Sequence, residues 1–210
     1  ESAYVSCVYN PKAESAEKFA IQHRIENYTD SLEELTMLTD AVYIASLHET
    51  HYEYAKYMLN NKKHVLCEKP AVLKKAQAEE LYSLAKENNV VFMEAVKTAY
   101  CPGFHAMMAA AKSGKIGRII DVEAAFSRLT PVNTREYMAQ DYNGSFLEFG
   151  SYVCMPVFEL LGCDYDDVRF HSMRAVNGVD AYTKAVFSFG GKSAEVKTGL
   201  GVKTEGQLLI

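Results

Sequence analysis

Short apolar runs alternate with amphipathic segments through the first half of the chain, and this alternation restricts the fold more than any other feature. The run at 40–46 (DAVYIAS) is of the continuous apolar kind that is typical of a strand buried on both faces, and the runs at 64–67 (HVLC) and 90–95 (VVFMEA) also predict strands. Between them, the segments 49–61 and 74–89 have the composition and apolar spacing of amphipathic helices. Strands joined by helices form βαβ units, so this half predicts a mainly parallel sheet.

The pattern changes after residue 96. Residues 102–114 and 149–162 each have the composition of a helix and end at a glycine, which is a common residue at helix C-termini. Residues 117–129 predict a long strand, and residues 130–144 predict a loop. The second half therefore predicts one or two helices together with strands that do not alternate regularly with helices as in the first half.

Three β-like stretches follow, separated by two pairs of turn residues. Asn177-Gly178 and Gly190-Gly191 are strong signals for hairpins, so these strands are expected to run antiparallel. The predicted fold class is therefore α/β, with a partial parallel sheet of the dinucleotide-binding type followed by an α+β domain that has a mainly antiparallel sheet. The predicted domains are residues 1–96 and 97–210.

Composition excludes several classes of protein. The 210 residues are 49% hydrophobic and carry a formal net charge of -5, which argues against a nucleic-acid or anionic-membrane partner. No apolar run approaches the roughly 20 residues of a membrane span, and the first residues do not have a signal-peptide pattern. The five cysteines include no C-x-x-C pair, so we expect core residues in a reducing cytoplasm, with neither a disulfide framework nor a metal site.

One expected motif does not occur. A complete dinucleotide-binding half begins with a strand and a glycine-rich turn that holds the pyrophosphate, and this chain contains no such turn. Its first residues have the pattern of the second strand of such a unit, and its last residues, GQLLI, have the pattern of a strand. We therefore expect both domains to be incomplete, and the isolated chain to bind NAD(P) weakly or not at all.

The first candidate functional stretch is HVLCEKP, residues 64–70. A buried strand leads directly into Glu68, Lys69 and Pro70, and ligands of open α/β sheets bind at the carboxyl ends of strands. Pro70 restricts Lys69 to an extended backbone, which aims the lysine outward from the sheet edge. Two interpretations remain open. Lys69 is either a functional group that acts on a bound ligand or a solvated lysine that pairs with Glu68.

The second candidate is the pair His48 and His51, which follows the strand at 40–46. The sequence His-Glu-Thr-His is one residue shorter than the H-E-x-x-H motif of zinc proteases, so a metal site is disfavoured. Two other interpretations remain. In the first, the segment is a capping turn with a partly buried His51, and in the second, the rings of His48 and His51 face a ligand.

Three further side chains come from later stretches. Glu94 ends the strand next to the one that precedes Glu68, where the alternative is a simple crossover between domains. Glu148 lies between Gly144 and Gly150, and Tyr152 is expected in the first turn of the helix that follows. A tyrosine beside a lysine can exchange a proton near neutral pH because the cation favours the phenolate, whereas the alternative for Tyr152 is a core aromatic residue.

In this order, these stretches resemble the Gfo/Idh/MocA oxidoreductases, and the resemblance covers nearly all of the chain. Residues 40–73 are similar to the family's strand, P-N-x-x-H turn, helix and E-K-P strand end. Residues 92–107 resemble its crossover into the second domain, and residues 144–162 resemble its G-x-x-x-D-x-G-x-H motif.

The resemblance implies reversible hydride transfer between NAD or NADP and a carbinol carbon of a sugar, polyol or cyclic diol. Lys69 would hold the reacting oxygen and bias the tyrosine, and Tyr152 would exchange the hydroxyl proton. The implied cofactor contacts are Ser46, Leu47, His48, His51, Glu68, Lys69 and Pro70. The implied substrate contacts are Lys69, Glu94, Lys97, Glu148 and Tyr152. The family also implies a homo-oligomer, a dimer or tetramer formed through the open face of the second sheet.

Several positions depart from the family pattern. Leu47 replaces the usual proline, His48 replaces an asparagine and Glu148 replaces an aspartate. Tyr152 stands where many members have histidine, whereas members of the glucose-fructose oxidoreductase and dihydrodiol dehydrogenase types have tyrosine there. Ala99 stands where arginine is frequent. Substrate anchoring is therefore expected to differ from the dihydrodiol type.

Two questions stay open at the level of sequence. The run CVYNP contains no acidic residue to bind the ribose hydroxyls of NAD, which favours NADP slightly. A non-catalytic sensor that binds a ligand or a protein is the rival function. The absent glycine turn favours the sensor, and the presence of Lys69 and Tyr152 favours the enzyme.

Overall fold

The computed structural model describes residues 3–138 and 142–210, so part of the loop predicted at 130–144, residues 139–141, lies outside the described residues. The chain divides into two compact units, residues 1–95 and 96–210. None of the described helices combines the length and the apolar character that a bilayer span requires.

The first unit alternates strands and helices. β1 and β2 form a two-stranded parallel sheet, and a second parallel sheet has the strand order β3-β4-β5. The predicted parallel α/β arrangement is thereby confirmed. The elements are β1 (Cys7–Tyr9), α1 (Ala13–His23), β2 (Asn27–Thr29), α2 (Leu32–Leu38), β3 (Ala41–Ile44), α3 (His48–Asn60), β4 (His64–Cys67), α4 (Lys75–Glu87) and β5 (Phe92–Glu94).

The core of this unit lies on one side of the three-stranded sheet. Val65 and Cys67 of β4 point into it and pack with Met58, Leu59 and Leu81 of helices α3 and α4, which are almost completely buried. Burying such side chains contributes about 1.5–3 kcal/mol each. This packing fixes the helices that flank the carboxyl ends of the strands.

The prediction that the strand at 40–46 is buried on both faces was wrong, and the neighbouring strand β4 is not buried on both faces either. Along β4 the buried and exposed residues alternate, and Leu66 is 39% exposed. On β3, Tyr43 is 57% exposed. Helices α3 and α4 pack on one face, and the side chains that point to the opposite face remain accessible.

The second unit contains one mixed five-stranded sheet in the order β10-β6-β9-β8-β7. The β6–β9 pair is parallel and the other three pairs are antiparallel, which agrees with the predicted mainly antiparallel sheet. The elements are a 3-10 helix (Lys97–Tyr100), α5 (Pro102–Lys112), β6 (Asp121–Ser127), a second 3-10 helix (Arg135–Tyr137), α6 (Ser145–Leu161), β7 (Asp167–Arg174), β8 (Asp180–Phe189), β9 (Lys192–Gly199) and β10 (Gln207–Leu209).

Helix α6 covers one face of this sheet. Val153 and Val157 of the helix pack against Val122, Phe187 and Val196 of three strands, and all five side chains are buried. The two predicted hairpins join β7 to β8 and β8 to β9 as antiparallel pairs. Helix α6 therefore packs on the three inner strands of the sheet, β6, β9 and β8.

Helix α6 begins earlier than the sequence predicted. It starts at Ser145 and continues through Gly150 and Pro156, so Tyr152 lies in its third turn rather than in its first. Gly150 acts here as a small residue in a helix, because a Cβ atom there would lie 3.3 Å from the ring of Phe146. Gly150, the second residue of the predicted helix, therefore allows the Phe146 ring to pack against the helix backbone.

Candidate active site

The carboxyl ends of β3, β4 and β5 are aligned at one edge of the three-stranded sheet in the first unit. Beyond the paired residues, the Glu68 backbone N–H donates to the Ile44 carbonyl at 2.8 Å, and the Ala95 N–H donates to the Cys67 carbonyl at 2.7 Å. The chain segments that leave the three strands therefore start side by side. This is the edge at which open α/β sheets bind ligands.

Lys69 leaves this edge on a buried turn. The residue is 9% exposed, the peptide bond between Lys69 and Pro70 is cis, and Pro70 and Ala71 are also buried. Burial of this extent contradicts the interpretation of Lys69 as a solvated surface lysine. The adjacent Glu68 carboxylate accepts hydrogen bonds from the Tyr43 hydroxyl at 2.5 Å and from the Lys69 N–H at 3.3 Å.

His51 connects two of the strand ends. Its ring is fully buried, with Nδ1 2.9 Å from the Pro70 carbonyl oxygen and Nε2 3.2 Å from the Ser46 carbonyl oxygen. A carbonyl oxygen only accepts, so the ring donates at Nδ1 in the tautomer that makes the shorter contact. Within the described residues no cluster of three potential metal ligands occurs. The geometry favours a ring that holds the backbone.

Helix α3 begins at the end of β3 and carries the other predicted cofactor contacts. His48 is 7% exposed, and its ring packs edge-on against that of His51 with centroids 5.6 Å apart. The Thr50 hydroxyl donates to Ser46 Oγ at 2.7 Å, and Leu47 is half exposed at the N-cap. The N-terminus of a helix carries partial positive charge and favours anionic groups.

Glu94 lies at the end of β5 and turns towards the lysine segment. Its Oε1 accepts a hydrogen bond from the Ala71 N–H at 3.0 Å. Burial, with a contribution from the carboxylates of Glu94 and Glu68, raises the pKa of the Cys67 thiol to about 12. Cys67 is therefore an unreactive core thiol, and each of the five cysteines of the chain is unpaired.

In the second unit, two predicted site residues share one face of helix α6. Glu148 and Tyr152 are four residues apart, which places them one above the other. Glu148 is buried, and the half-buried Tyr152 packs edge-on against Phe126 with ring centroids 5.6 Å apart. Lys97 is exposed at the start of the first 3-10 helix.

The start of helix α6 is anchored by a residue that sequence reasoning missed. Asp180 Oδ2 accepts hydrogen bonds from the Ser145 hydroxyl at 2.6 Å, the Phe146 N–H at 3.0 Å and the Thr183 hydroxyl at 2.7 Å. A carboxylate at this position stabilises a helix N-terminus. The aspartate lies 35 positions after Ser145, so no local capping pattern points to it.

Within the first unit, the structure brings several predicted site residues together. Six of them lie at the strand edge of the first unit: Ser46, His51, Glu68, Lys69, Pro70 and Glu94. Tyr43 joins this group as the partner of Glu68, and the alternation of side chains along β3 was its only sequence signal. In the second unit, Glu148 and Tyr152 form a separate pair.

A parallel α/β unit with polar side chains at its carboxyl edge is the architecture of dinucleotide-binding domains. Residues 1–96 match the profile described as the oxidoreductase family, NAD-binding Rossmann fold, GFO_IDH_MocA. With relatives of the same kind along the rest of the chain, this match supports a Gfo/Idh/MocA oxidoreductase.

Two curated relatives illustrate the match. The chain is 34% identical over 206 residues to scyllo-inositol 2-dehydrogenase (NADP(+)) IolU of Bacillus subtilis (strain 168), covering 92% of this chain and 61% of that protein. It is 29% identical over 185 residues to trans-1,2-dihydrobenzene-1,2-diol dehydrogenase of Xenopus laevis, covering 85% of this chain and 55% of that protein. The chain thus spans less than two thirds of the length of either relative.

A solved structure agrees on the fold. The crystal structure of GenD2 from gentamicin A biosynthesis, in complex with NAD, superposes with a TM-score of 0.87 at 20% sequence identity. The match covers 98% of this chain and 61% of that chain. At this identity the likeness concerns the fold alone.

Proposed function

We propose that the chain is part of an NAD(P)-dependent oxidoreductase that transfers a hydride between nicotinamide and a carbinol carbon of a sugar, polyol or cyclic diol. The observation that carries the proposal is Lys69, a buried lysine on the carboxyl edge of a parallel sheet in a chain of this family. Burying an ammonium group is costly, so such a lysine marks a site where the charge is used.

The side chains at this edge suit a dinucleotide. The N-terminus of helix α3 favours an anion, and the Ser46 hydroxyl and the His48 ring are groups that can bond ribose or amide oxygens. Leu47, which is half exposed, offers an apolar surface next to them. When bound, the nicotinamide cofactor supplies or accepts the hydride, and the choice between NAD and NADP stays open.

Lys69 and Tyr152 have different roles in this proposal. The Lys69 ammonium donates a hydrogen bond to the substrate oxygen and stabilises negative charge on it. The Tyr152 hydroxyl gives or takes the proton of that oxygen. Its edge-on contact with Phe126 supports a fixed ring orientation, which proton transfer needs.

The substrate class rests on the relatives. One is named an inositol dehydrogenase and another a dihydrobenzene-diol dehydrogenase, and both names denote rings with neighbouring hydroxyl groups. Lys97 and Glu148 stay predicted substrate contacts in this proposal, whereas the Glu94 carboxylate accepts a hydrogen bond from the Ala71 N–H. A homo-oligomeric state and a cytoplasmic location also stay predictions.

A panel of cofactors and substrates tests the proposal on the intact protein. Cyclitols, aldoses, open-chain polyols and cyclic diols are each combined with NAD and with NADP, and reduction of the cofactor is followed by its absorbance. The proposal expects turnover of at least one ring-shaped polyol or diol. Tight ligand binding without turnover anywhere in the panel would support the non-catalytic sensor instead.

A further inference from the structure

The turn that carries Lys69 is held through a single peptide group. The Pro70 carbonyl oxygen and the Ala71 N–H belong to the same peptide unit, which follows the lysine by one residue. The carbonyl oxygen lies 2.9 Å from His51 Nδ1, and the N–H donates to Glu94 Oε1 at 3.0 Å. Both polar ends of this peptide are therefore bonded to side chains.

The two side chains come from different elements and join three strand ends. His51 belongs to helix α3, and its second ring nitrogen lies 3.2 Å from the Ser46 carbonyl beyond β3. Glu94 is the last residue of β5. The peptide lies after β4, the central strand, so the two contacts link the turn to both neighbouring strands beyond the last ladder hydrogen bonds.

We propose that His51 and Glu94 are positioning residues that fix the Pro70–Ala71 peptide from opposite ends and thereby set the backbone from which Lys69 projects. The inference rests on the proposed function of Lys69. It also gives Glu94 and His51 roles other than direct contact with substrate or cofactor. Neither side chain needs to touch the reacting atoms for this role.

Burial and chemistry support the assignment. The His51 side chain is completely buried and both of its ring nitrogens face backbone carbonyls, which leaves the ring committed to the protein. A buried peptide whose two polar groups are satisfied has one strongly preferred orientation, because rotation would break both bonds. A shift of about 1 Å in a catalytic group can cost as much as 100-fold in rate.

Glu94→Met and Glu94→Gln form the decisive pair of variants. Methionine keeps the length of the side chain and removes the acceptor for the Ala71 N–H, whereas glutamine keeps an oxygen acceptor and removes the charge. On the intact enzyme we expect Glu94→Met to lower kcat by about 10- to 100-fold with KM and the Kd for NAD(P)H within about threefold. We expect Glu94→Gln to stay within about threefold of the parent.

Hydrogen exchange of the Ala71 amide gives a readout that does not depend on activity. In the parent and in Glu94→Gln this amide should exchange at least about tenfold more slowly than an unstructured amide, and Glu94→Met should remove the protection. His51→Asn, which keeps a donor close to the position of Nδ1, should retain more activity than His51→Leu.

Each outcome decides between accounts. Equal losses in Glu94→Gln and Glu94→Met would show that the charge of Glu94 matters, as for a direct substrate contact, and would overturn the proposal. Unchanged kcat in Glu94→Met would also overturn it. If Glu94→Met does not fold, an unprotected Ala71 amide in the parent overturns the proposal and a protected one supports it. If Lys69→Met has full activity, the proposed function fails, and Ala71 exchange still reports on the two contacts.

Discussion

Lys69 is the residue on which the functional account depends most. Its position after an apolar strand and before a proline was readable in the sequence, and its burial was not. The burial arises from a turn whose peptide groups are bonded by His51 and Glu94, and those residues are distant along the chain. The stretch HVLCEKP contains no information on these distant partners, so the sequence left two interpretations of Lys69 open. The burial of Lys69 argues against the solvated lysine.

Substitution of Lys69 tests its role directly. Lys69→Met keeps the aliphatic stem and removes the ammonium group, so kcat/KM should fall by at least about 100-fold because the substrate oxygen loses its positive partner. Steady-state kinetics with the preferred substrate measure the change. Lys74→Met is a matched control, since Lys74 is exposed five residues further along the same segment. Equal activity of the two variants would contradict the role of Lys69.

Tyr152 is tested by removal of a single oxygen. Tyr152→Phe retains the ring that packs against Phe126, so the fold should be unchanged and kcat should fall by about 100- to 10,000-fold through loss of proton transfer. Tyr165→Phe, on an exposed tyrosine of the same unit, serves as the control. Full activity in Tyr152→Phe would assign the tyrosine to the core of the unit only.

Helix α6 shows where element boundaries escape sequence reasoning. The sequence predicted a start at Phe149, where the residues with helical composition begin. The structure begins the helix at Ser145, where Asp180 of β8 binds the first turn. Strand β2 was missed for a related reason, since three mostly polar residues carry no hydrophobic period. Long-range partners decided both elements.

Gly144 is the position at which this helix start is most sensitive. Its φ of +130° and ψ of 169° lie in a region that only glycine adopts readily, and a Cβ atom there would lie 1.9 Å from Asp180 Oδ1. Gly144→Ala should therefore reduce the free energy of unfolding by about 2–4 kcal/mol, as measured by denaturant unfolding.

Gly103→Ala is the control for that substitution. Gly103 lies in helix α5 of the same unit, and a Cβ atom there meets nothing within 4 Å. Alanine at this position should leave stability unchanged or raise it by up to about 1 kcal/mol. Similar unfolding midpoints for the two variants would show that Gly144 is not under the constraint described.

The overall architecture was more predictable from the sequence than the helix boundaries or the surroundings of single residues. Continuous apolar runs joined by amphipathic helices predicted the parallel sheets, and the turn pairs at Asn177-Gly178 and Gly190-Gly191 predicted the antiparallel strands. These patterns are local and extend over many residues, so one atypical residue does not change the predicted element. The parallel β6–β9 pairing was not predicted, because it joins strands far apart in sequence.

The face of the second sheet opposite helix α6 carries a charge cluster that makes stability depend on pH. Burial alone would raise the pKa of Glu195, but hydrogen bonds from Lys184 and Lys197, at 2.5 and 2.6 Å, outweigh it and hold the pKa below the usual 4.5. A lowered carboxyl pKa stabilises the folded state above the unfolded pKa, and the contribution is lost as the pH falls through the folded pKa.

Glu195→Gln tests this effect. At pH 7 the variant should be less stable by about 0.5–1 kcal/mol, since Lys184 and Lys197 are direct cross-strand neighbours and lose the charge between them. The difference in Tm from the parent should shrink as the pH falls below 4.5. Glu205→Gln, on an exposed residue, should show neither effect. A gap in Tm that stays constant with pH would contradict the assignment.

Hydride transfer itself is the central claim, and isotope transfer measures it most directly. The intact protein is incubated with NAD(P)H deuterated at C4 and with the ketone forms of cyclitols, sugars and cyclic diols, and the products are analysed by mass spectrometry. The account predicts deuterium on the new carbinol carbon of at least one product, with Lys69→Met slowing its appearance by about 100-fold or more. No deuterium in any product, or equal transfer by Lys69→Met, would contradict the account.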